Sequence, residues 1–225
     1  MGESSCRGVC LFNIPRTLEI RDLRHSSVVP LDVLQFTGGV SQRSLLRVAG
    51  VDVGGRRKGF HAAVIERRFL LAGPVSLRSV GSAIEWLLEY RPLLVAVDAP
   101  IELGPRACER DLARTICGLY YTPAAVEGPF YEWMRHGLEL YAALRHAGLR
   151  AVECFPTATW TRVAGPRGSR RRAGWSAAAL SRLRVRSVPS RIGQDGRDAI
   201  GAAYTAWLHV SGRTESFGSI VVPRR

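Results

Sequence analysis

Three acidic residues stand at or near the ends of apolar runs: Asp52 after Leu46–Val51, Asp98 after Leu93–Val97, and Glu153 within Arg150–Pro156. Taking a carboxylate out of water costs several kcal/mol unless something compensates it, so stability alone does not account for acids in these positions. Ligands of open α/β sheets gather outside the carboxyl ends of the strands. Carboxylates that converge there repel one another, and a hard divalent cation is the simplest group to hold them ionised. Two further acids, Asp195 and Asp198, lie three apart in Gln194-Asp195-Gly196-Arg197-Asp198-Ala199, on one face of the first turn of a helical pattern. Small residues follow them (Ala199, Gly201, Ala202, Ala203) and allow that helix to lie close to the sheet, which would carry Asp198 to Asp52.

Each acid also has a plainer reading. Asp52 before Val53-Gly54-Gly55 and Asp98 before Ala99-Pro100 suit turns. Asp195 suits a helix N-cap with Asp198 at the third helical position, and Glu153 suits an ion pair with one of the nearby arginines. The joint pattern, two strand-end acids followed by a D-x-x-D helix start, is far less expected by accident than any one member.

The elements that must position these residues can be read from periodicity. Leu46–Gly55 reads as an apolar strand closed by a Gly pair, Gly59–Glu66 as a second strand and Phe69–Ala72 as a short third; their connections are too short for anything but a meander. A helix is predicted around Ser79–Tyr90, ended by Pro92. Leu93–Val97 reads as a strand buried on both faces. Helices follow at about Pro105–Cys117 and Phe130–His146, then a short strand at Arg150–Pro156, an arginine-rich section, a helix at Asp195–Val210 and an apolar tail at Ile220–Val222. This order predicts an α/β domain over residues 46–225, with a mixed sheet, an antiparallel three-strand meander at its edge and helices on both faces. Residues 1–45 show no sustained period and read as an appendage, either a true extension or the product of a start codon placed too early.

Four segments carry a resemblance: Gly50-Val51-Asp52-Val53-Gly54-Gly55, Val97-Asp98-Ala99-Pro100, Glu153-Cys154-Phe155-Pro156, and Asp195 through Ala203. Together they resemble an uncharacterised family of predicted nucleases in the ribonuclease-H-like superfamily, near its Holliday-junction-resolvase branch, over about residues 46–225. The resemblance implies a mixed five-stranded sheet whose acids surround metal. It makes Asp52 the central bridging ligand, Asp98 the second and Asp198 the third, with Asp195 assisting. Glu153 matches that family's own E-x-x-P strand motif and joins the candidate catalytic residues. The stretch Arg106–Arg114 resembles the family's arginine-rich helix. The expected activity is hydrolysis of phosphodiester bonds by Mg²⁺ or Mn²⁺ held on carboxylates, and no cysteine–histidine cluster competes for zinc.

The charge is compatible with a nucleic-acid substrate. The formal net charge is +13, although Lys58 is the only lysine among 32 basic residues, a skew that a GC-rich genome also produces. Placement is more telling: between Glu153 and Asp195 lie nine arginines and no acid. Arg170, Arg171 and Arg172, with Arg182, Arg184 and Arg186, are the candidate phosphate contacts, and contacts of this kind imply weak sequence preference. A solvated basic loop has the same composition. The five cysteines are an odd number without a C-x-x-C pair, which argues against a disulfide framework and a zinc site. No apolar run spans a membrane and no signal-peptide pattern opens the chain, so the expected location is the cytoplasm. The five histidines, His61 among them, sit in no catalytic motif and read as surface or core residues. Two other functions compete: a non-catalytic domain of the same fold that binds nucleic acid or a partner, and an actin-like phosphotransferase using Asp52-Val53-Gly54-Gly55 for phosphate. The latter normally needs a duplicated domain, and only one copy of the motif is present.

Overall fold

The computed structural model describes residues 46–225, so the expected appendage at 1–45 lies outside the described residues. Strands β1 (Arg47–Val53), β2 (Phe60–Glu66) and β3 (Phe69–Leu77) form the antiparallel meander. Helix α1 (Val80–Tyr90) starts at a reciprocal cap in which the Ser79 hydroxyl accepts from the Ser82 amide at 3.1 Å and the Ser82 hydroxyl accepts from the Ser79 amide at 3.1 Å. It crosses over to β4 (Val95–Asp98), which runs parallel to β1. Helices α2 (Ala107–Thr115) and α3 (Glu132–His146) then lead to β5 (Ala151–Cys154), parallel to β4. Helices α4 (Pro156–Ala164), α5 (Arg172–Arg182) and α6 (Gln194–Val210) precede a hairpin of β6 (Thr214–Phe217) and β7 (Ile220–Pro223). The sheet has seven strands in the order β3-β2-β1-β4-β5-β7-β6.

Three local expectations need correction. The apolar tail is a strand: β7 pairs in parallel with β5 and carries the sheet beyond the five strands expected. The arginine-rich section holds two helices, α4 and α5; in α5 Trp175, Ala179, Leu180 and Leu183 bury a stripe at helical spacing, with mostly small Ala and Ser residues between them. Helix α6 begins at Gln194 with Gly193 as its cap, so Asp195 is not the cap residue. No helix among the described residues is long and apolar enough to cross a membrane.

Two apolar layers sandwich the central strands. Ala49, Val51 and Val53 of β1 pack with Leu87 of α1 and Leu140 and Leu144 of α3. Val48 of β1 packs on the other face with Trp160, Ala199 and Ala203 of α4 and α6. Successive strand residues alternate between faces, so Asp52 shares its face with Val48 and Gly50, under α6. Asp98 shares the parity of Ala96, which also lies in the α6 layer. Glu153, flanked by Val152 and Cys154 of that same layer, points to the opposite face.

Helix α6 reaches β1 only because residue 50 lacks a side chain. A Cβ built there would stand 2.0 Å from the Ala203 nitrogen and 2.3 Å from the Ala199 carbonyl oxygen. Backbone cannot yield as a flexible side chain does. Gly50→Ala should therefore cost about 3 kcal/mol or more in urea unfolding, at the upper end of overpacking penalties, through displacement of α6.

Candidate active site

Parallel register sets Asp52 beside Asp98, on strands about 4.8 Å apart. Antiparallel register sets His61 of β2 opposite Asp52 on the other side. Helix α6, held close at Gly50, contributes Asp195 and, one turn deeper, Asp198. Ligand atoms of Asp52, His61 and Asp195 lie within 4.8 Å of one another, the one such cluster among the described residues. Lys58, from the turn between β1 and β2, places its ammonium 2.5 Å from Asp195 Oδ1.

Asp198 is occupied otherwise. It is only 2% exposed. Its Oδ1 accepts from Trp160 Nε1 at 2.7 Å and its Oδ2 from Arg172 Nη2 at 2.9 Å, while Gln194 Nε2 lies 2.9 Å from both oxygens. The Trp160 ring that fixes it packs on Gly201, where a Cβ would meet the indole at 2.5 Å. Asp195 thus joins the open cluster at the sheet mouth, whereas Asp198, expected as the third ligand, is a buried neighbour paired with Arg172.

The electrostatics follow from this crowding. Burial, then the charges of Asp198 and Asp195, push Asp52 up to about 7 against the opposing pull of Lys58 and Arg172. Asp98 is held well above the usual carboxylate range by burial and by Asp52 and Asp198. Burial lowers His61, which favours the neutral imidazole that can ligate metal. Two acids that ionise reluctantly, a neutral imidazole and a third carboxylate paired to an ammonium describe a site short of positive charge. That donor set fits a divalent cation, with Asp52, Asp195 and His61 as its first holders and Asp98 alongside.

Glu153 does not belong to this cluster, because strand parity turns it to the opposite face. Arg106 grips it with two bonds, Nη1 to Oε2 at 2.6 Å and Nη2 to Oε1 at 2.8 Å. Ser219 Oγ and the Ile101 amide also donate to Oε2, at 2.8 and 3.2 Å. The same guanidinium reaches Glu109 Oε1 at 2.6 Å, and Glu109 Oε2 accepts the Thr122 amide at 2.9 Å. Arg106, Glu109, Thr122 and Glu153 are all buried. The plainer reading of Glu153, an ion pair with an arginine, is the one the structure shows, and the partner comes from the stretch that resembled an arginine-rich helix.

The candidate phosphate contacts divide. Arg172 opens α5 on Asp198 with 47% of its side chain exposed, and Arg171 precedes it as the cap residue. Arg170 turns its guanidinium back onto the carbonyls of Pro166 and Arg167. Arg182, at the far end of α5, reaches the Val163 carbonyl at 3.4 Å. Arg186 bridges to β3 beside Phe69 and lies over that ring at 5.8 Å. Phe69 pairs with Glu66, and Glu66 with Arg47, the end of β1 remote from Asp52 by about 17 Å at 3.4 Å per residue. Arg186, and Arg184 two residues before it, are therefore not brought to the carboxylates.

His61, Lys58, Trp160 and Gln194 were not singled out by sequence. A signal existed for His61: a hairpin centred on Arg56-Arg57 pairs residue 52 with residue 61. The glycine turn itself offers little to a phosphate. The Arg56 amide donates to Glu132 Oε2 at 2.8 Å, and the amides of Gly54, Lys58 and Gly59 close on carbonyls within the turn.

No protein-family model matches the chain, and no curated protein does. Among solved structures, RuvC from Thermus thermophilus is similar with a TM-score of 0.47 and 19% identity, over 74% of this chain and 96% of that one. T. thermophilus RuvC in complex with a Holliday junction substrate gives 0.44 and 18%, over the same shares. The expected architecture holds: a mixed α/β sheet with an antiparallel three-strand meander and helices on both faces.

Two outcomes follow from the geometry. Because Asp52 has its folded value near 7 against an ordinary 3.8, the folded state holds the proton more tightly, and ionisation subtracts stability as pH rises from about 4 to 7. Asp52→Asn removes that penalty, so in EDTA its melting temperature should match wild type near pH 4 and exceed it increasingly up to pH 7, by about 3 °C or more. Differential scanning calorimetry across pH reads this directly, and equal curves at every pH would refute it. Glu153→Gln, in contrast, leaves buried Arg106 undercompensated. It should cost about 3 kcal/mol in urea unfolding, while isothermal titration shows Mn²⁺ affinity unchanged.

Proposed function

We propose that this protein is a metal-dependent nuclease that hydrolyses phosphodiester bonds of DNA or RNA with little sequence preference. The observation that carries the reading is the convergence of Asp52, His61 and Asp195 at the mouth of the sheet, beside Asp98, in surroundings that leave their negative charge undercompensated. A divalent ion held there supplies an acidified water and neutralises charge at a phosphodiester. The chain's own residues do the rest. Asp52 and Asp195 bring oxygen ligands, and His61 brings a nitrogen. Trp160, Gln194 and Arg172 hold Asp198 in one orientation, so that the floor of the site is rigid. Lys58 and the exposed part of Arg172 present positive charge to an incoming polyanion from either side of the acids.

An imidazole among the ligands shifts the metal preference. Carboxylate oxygens alone suit Mg²⁺, whereas mixed nitrogen and oxygen donors favour Mn²⁺. The phosphotransferase reading gains no support, since the amides of Gly54, Arg56, Lys58 and Gly59 in the turn are engaged within the protein.

The test combines calorimetry of metal binding with cleavage of a labelled oligonucleotide panel. Wild type should bind Mn²⁺ more tightly than Mg²⁺ and cut in its presence. Asp52→Asn should remain folded and cut nothing, and His61→Ala should lose about tenfold or more in Mn²⁺ affinity with a smaller loss for Mg²⁺. A wild type that binds metal but cuts no substrate would install the non-catalytic binding domain in place of the nuclease. A wild type that binds no divalent metal would remove the metal centre itself.

A further inference from the structure

The connection between α2 and α3 displays a group of aromatic side chains that the core does not use. Tyr120 is 76% exposed, Tyr121 57% and Phe130 60%. Tyr120 and Phe130 meet with ring centroids 5.8 Å apart and nearly perpendicular planes, and Phe130 meets Tyr131 in the same way at 5.0 Å. Large apolar rings left in water in a contiguous group mark a surface that something covers.

This loop is not loosely hung. Thr122, 3% exposed, donates its amide and hydroxyl to Glu109, which Arg106 ties to Glu153 of β5. The Gly104 amide donates to the Pro123 carbonyl at 2.9 Å, and Arg135 donates to the Val126 carbonyl at 2.8 Å. The aromatic rings therefore project from a backbone held by a buried ionic network, which is how a rigid recognition surface is built.

Its position relative to the acids identifies what it faces. Tyr120 and Asp98 line one small cavity. Tyr120 also lines a cleft of about 630 Å³ whose lining includes Arg167, Gly168 and Arg172, and Arg172 is the residue bonded to Asp198. The cleft thus shares Tyr120 with the cavity that reaches Asp98, touches the acidic site through Arg172, and combines apolar lining (Leu119, Tyr120, Phe155, Trp175) with the arginines. Its volume is of the size that encloses a small organic ligand. An apolar protein partner would not call for arginines there, whereas a strand of nucleic acid presents both faces the cleft can use: bases that stack on aromatic rings, and phosphates that pair with guanidinium groups.

We propose that this cleft and the Tyr120–Phe130 pair form a subsite for unpaired nucleotides of the strand whose phosphate lies at the acids. The inference rests on the nuclease reading for the direction of the strand, but its binding test does not require turnover. Bases inside a duplex are already stacked on their neighbours and cannot reach the rings, so the subsite selects single-stranded or unpaired segments.

The experiment measures fluorescence anisotropy of labelled oligo-deoxythymidine and of a duplex of equal length, with the full chain in EDTA so that nothing is cut. Wild type should bind the single strand about tenfold or more tightly than the duplex, and Tyr120→Ala/Phe130→Ala should lose about tenfold or more for the single strand with little change for the duplex. Both side chains are exposed, so the double variant should keep its wild-type melting temperature, and its Mn²⁺ affinity should be unchanged. Equal wild-type affinity for single strand and duplex would overturn the subsite. So would full single-strand affinity in the double variant, which would leave the aromatic surface to a protein partner. If wild type binds single strands as described but never cuts, the nuclease reading falls and the subsite stands.

Discussion

Helix α6 lies on β1 at a distance that no side chain at residue 50 would permit. This approach has consequences well beyond packing. Asp195 and Asp198 belong to α6, whereas Asp52, Asp98 and His61 belong to strands, and the close approach at Gly50, with that of Gly196 to Pro74, brings the two sets together. The small face of α6 (Ala199, Ala202, Ala203) meets the strand there, and Gly201 on a neighbouring row receives Trp160. Trp160 in turn donates to Asp198. The packing surface and the polar surface of this helix are therefore one construction: the residues that let it come close also fix the acid it carries.

Proximity creates an electrostatic problem, and the chain meets it only in part. Four carboxylates gather around one end of the sheet. Arg172 offsets Asp198 and Lys58 offsets Asp195, which leaves Asp52 and Asp98 without a cation of their own among the described residues. Burial first, and the neighbouring carboxylates second, make both reluctant to ionise. A fold selected only for stability would replace such acids with apolar or amide side chains at a gain. Stability given up in one place, with the compensating cations arranged just outside it, is the signature of a site kept for a ligand.

Much of this arrangement was legible in the residues. The strand-end aspartates, the D-x-x-D helix start and the small face of α6 each carry a local physical meaning, and the structure brings Asp52, Asp98, Asp195 and Asp198 to one edge of the sheet. What failed was the assignment of direction. Glu153 has the right strand-end position, yet its neighbours Val152 and Cys154 lie in the α6 layer, so period-two alternation turns it away. That parity was present in the sequence but needed a decision about which face β5 buries on each side. Asp195 lies nearer the open cluster than Asp198 because the helix starts at Gln194 and Trp160, distant in sequence, holds the deeper acid. Helices α4 and α5 escaped notice because arginines crowd the segment around them, while their own residues are mostly Thr, Ser, Ala and Gly, which give only a weak apolar period.

The Glu153–Arg106–Glu109 network shows how a residue can matter to a site without touching it. Two carboxylates around one guanidinium leave a net negative charge in the interior, and an apolar cluster of equal volume would hold α2 to β5 at least as firmly. Stability is therefore a poor reason for the network. What it supplies that apolar contacts do not is direction: every bond has one geometry, and the chain of bonds runs from β5 through Arg106 and Glu109 to the amide and hydroxyl of Thr122. Thr122 sits between Tyr121 and Pro123 in the loop that carries the exposed rings. A loop of this length has few apolar contacts of its own to set its path, so its register on the body of the domain depends on such directional ties. The sheet thus places its acids by strand register on one face and, through Glu153 on the other, fixes the loop that flanks them.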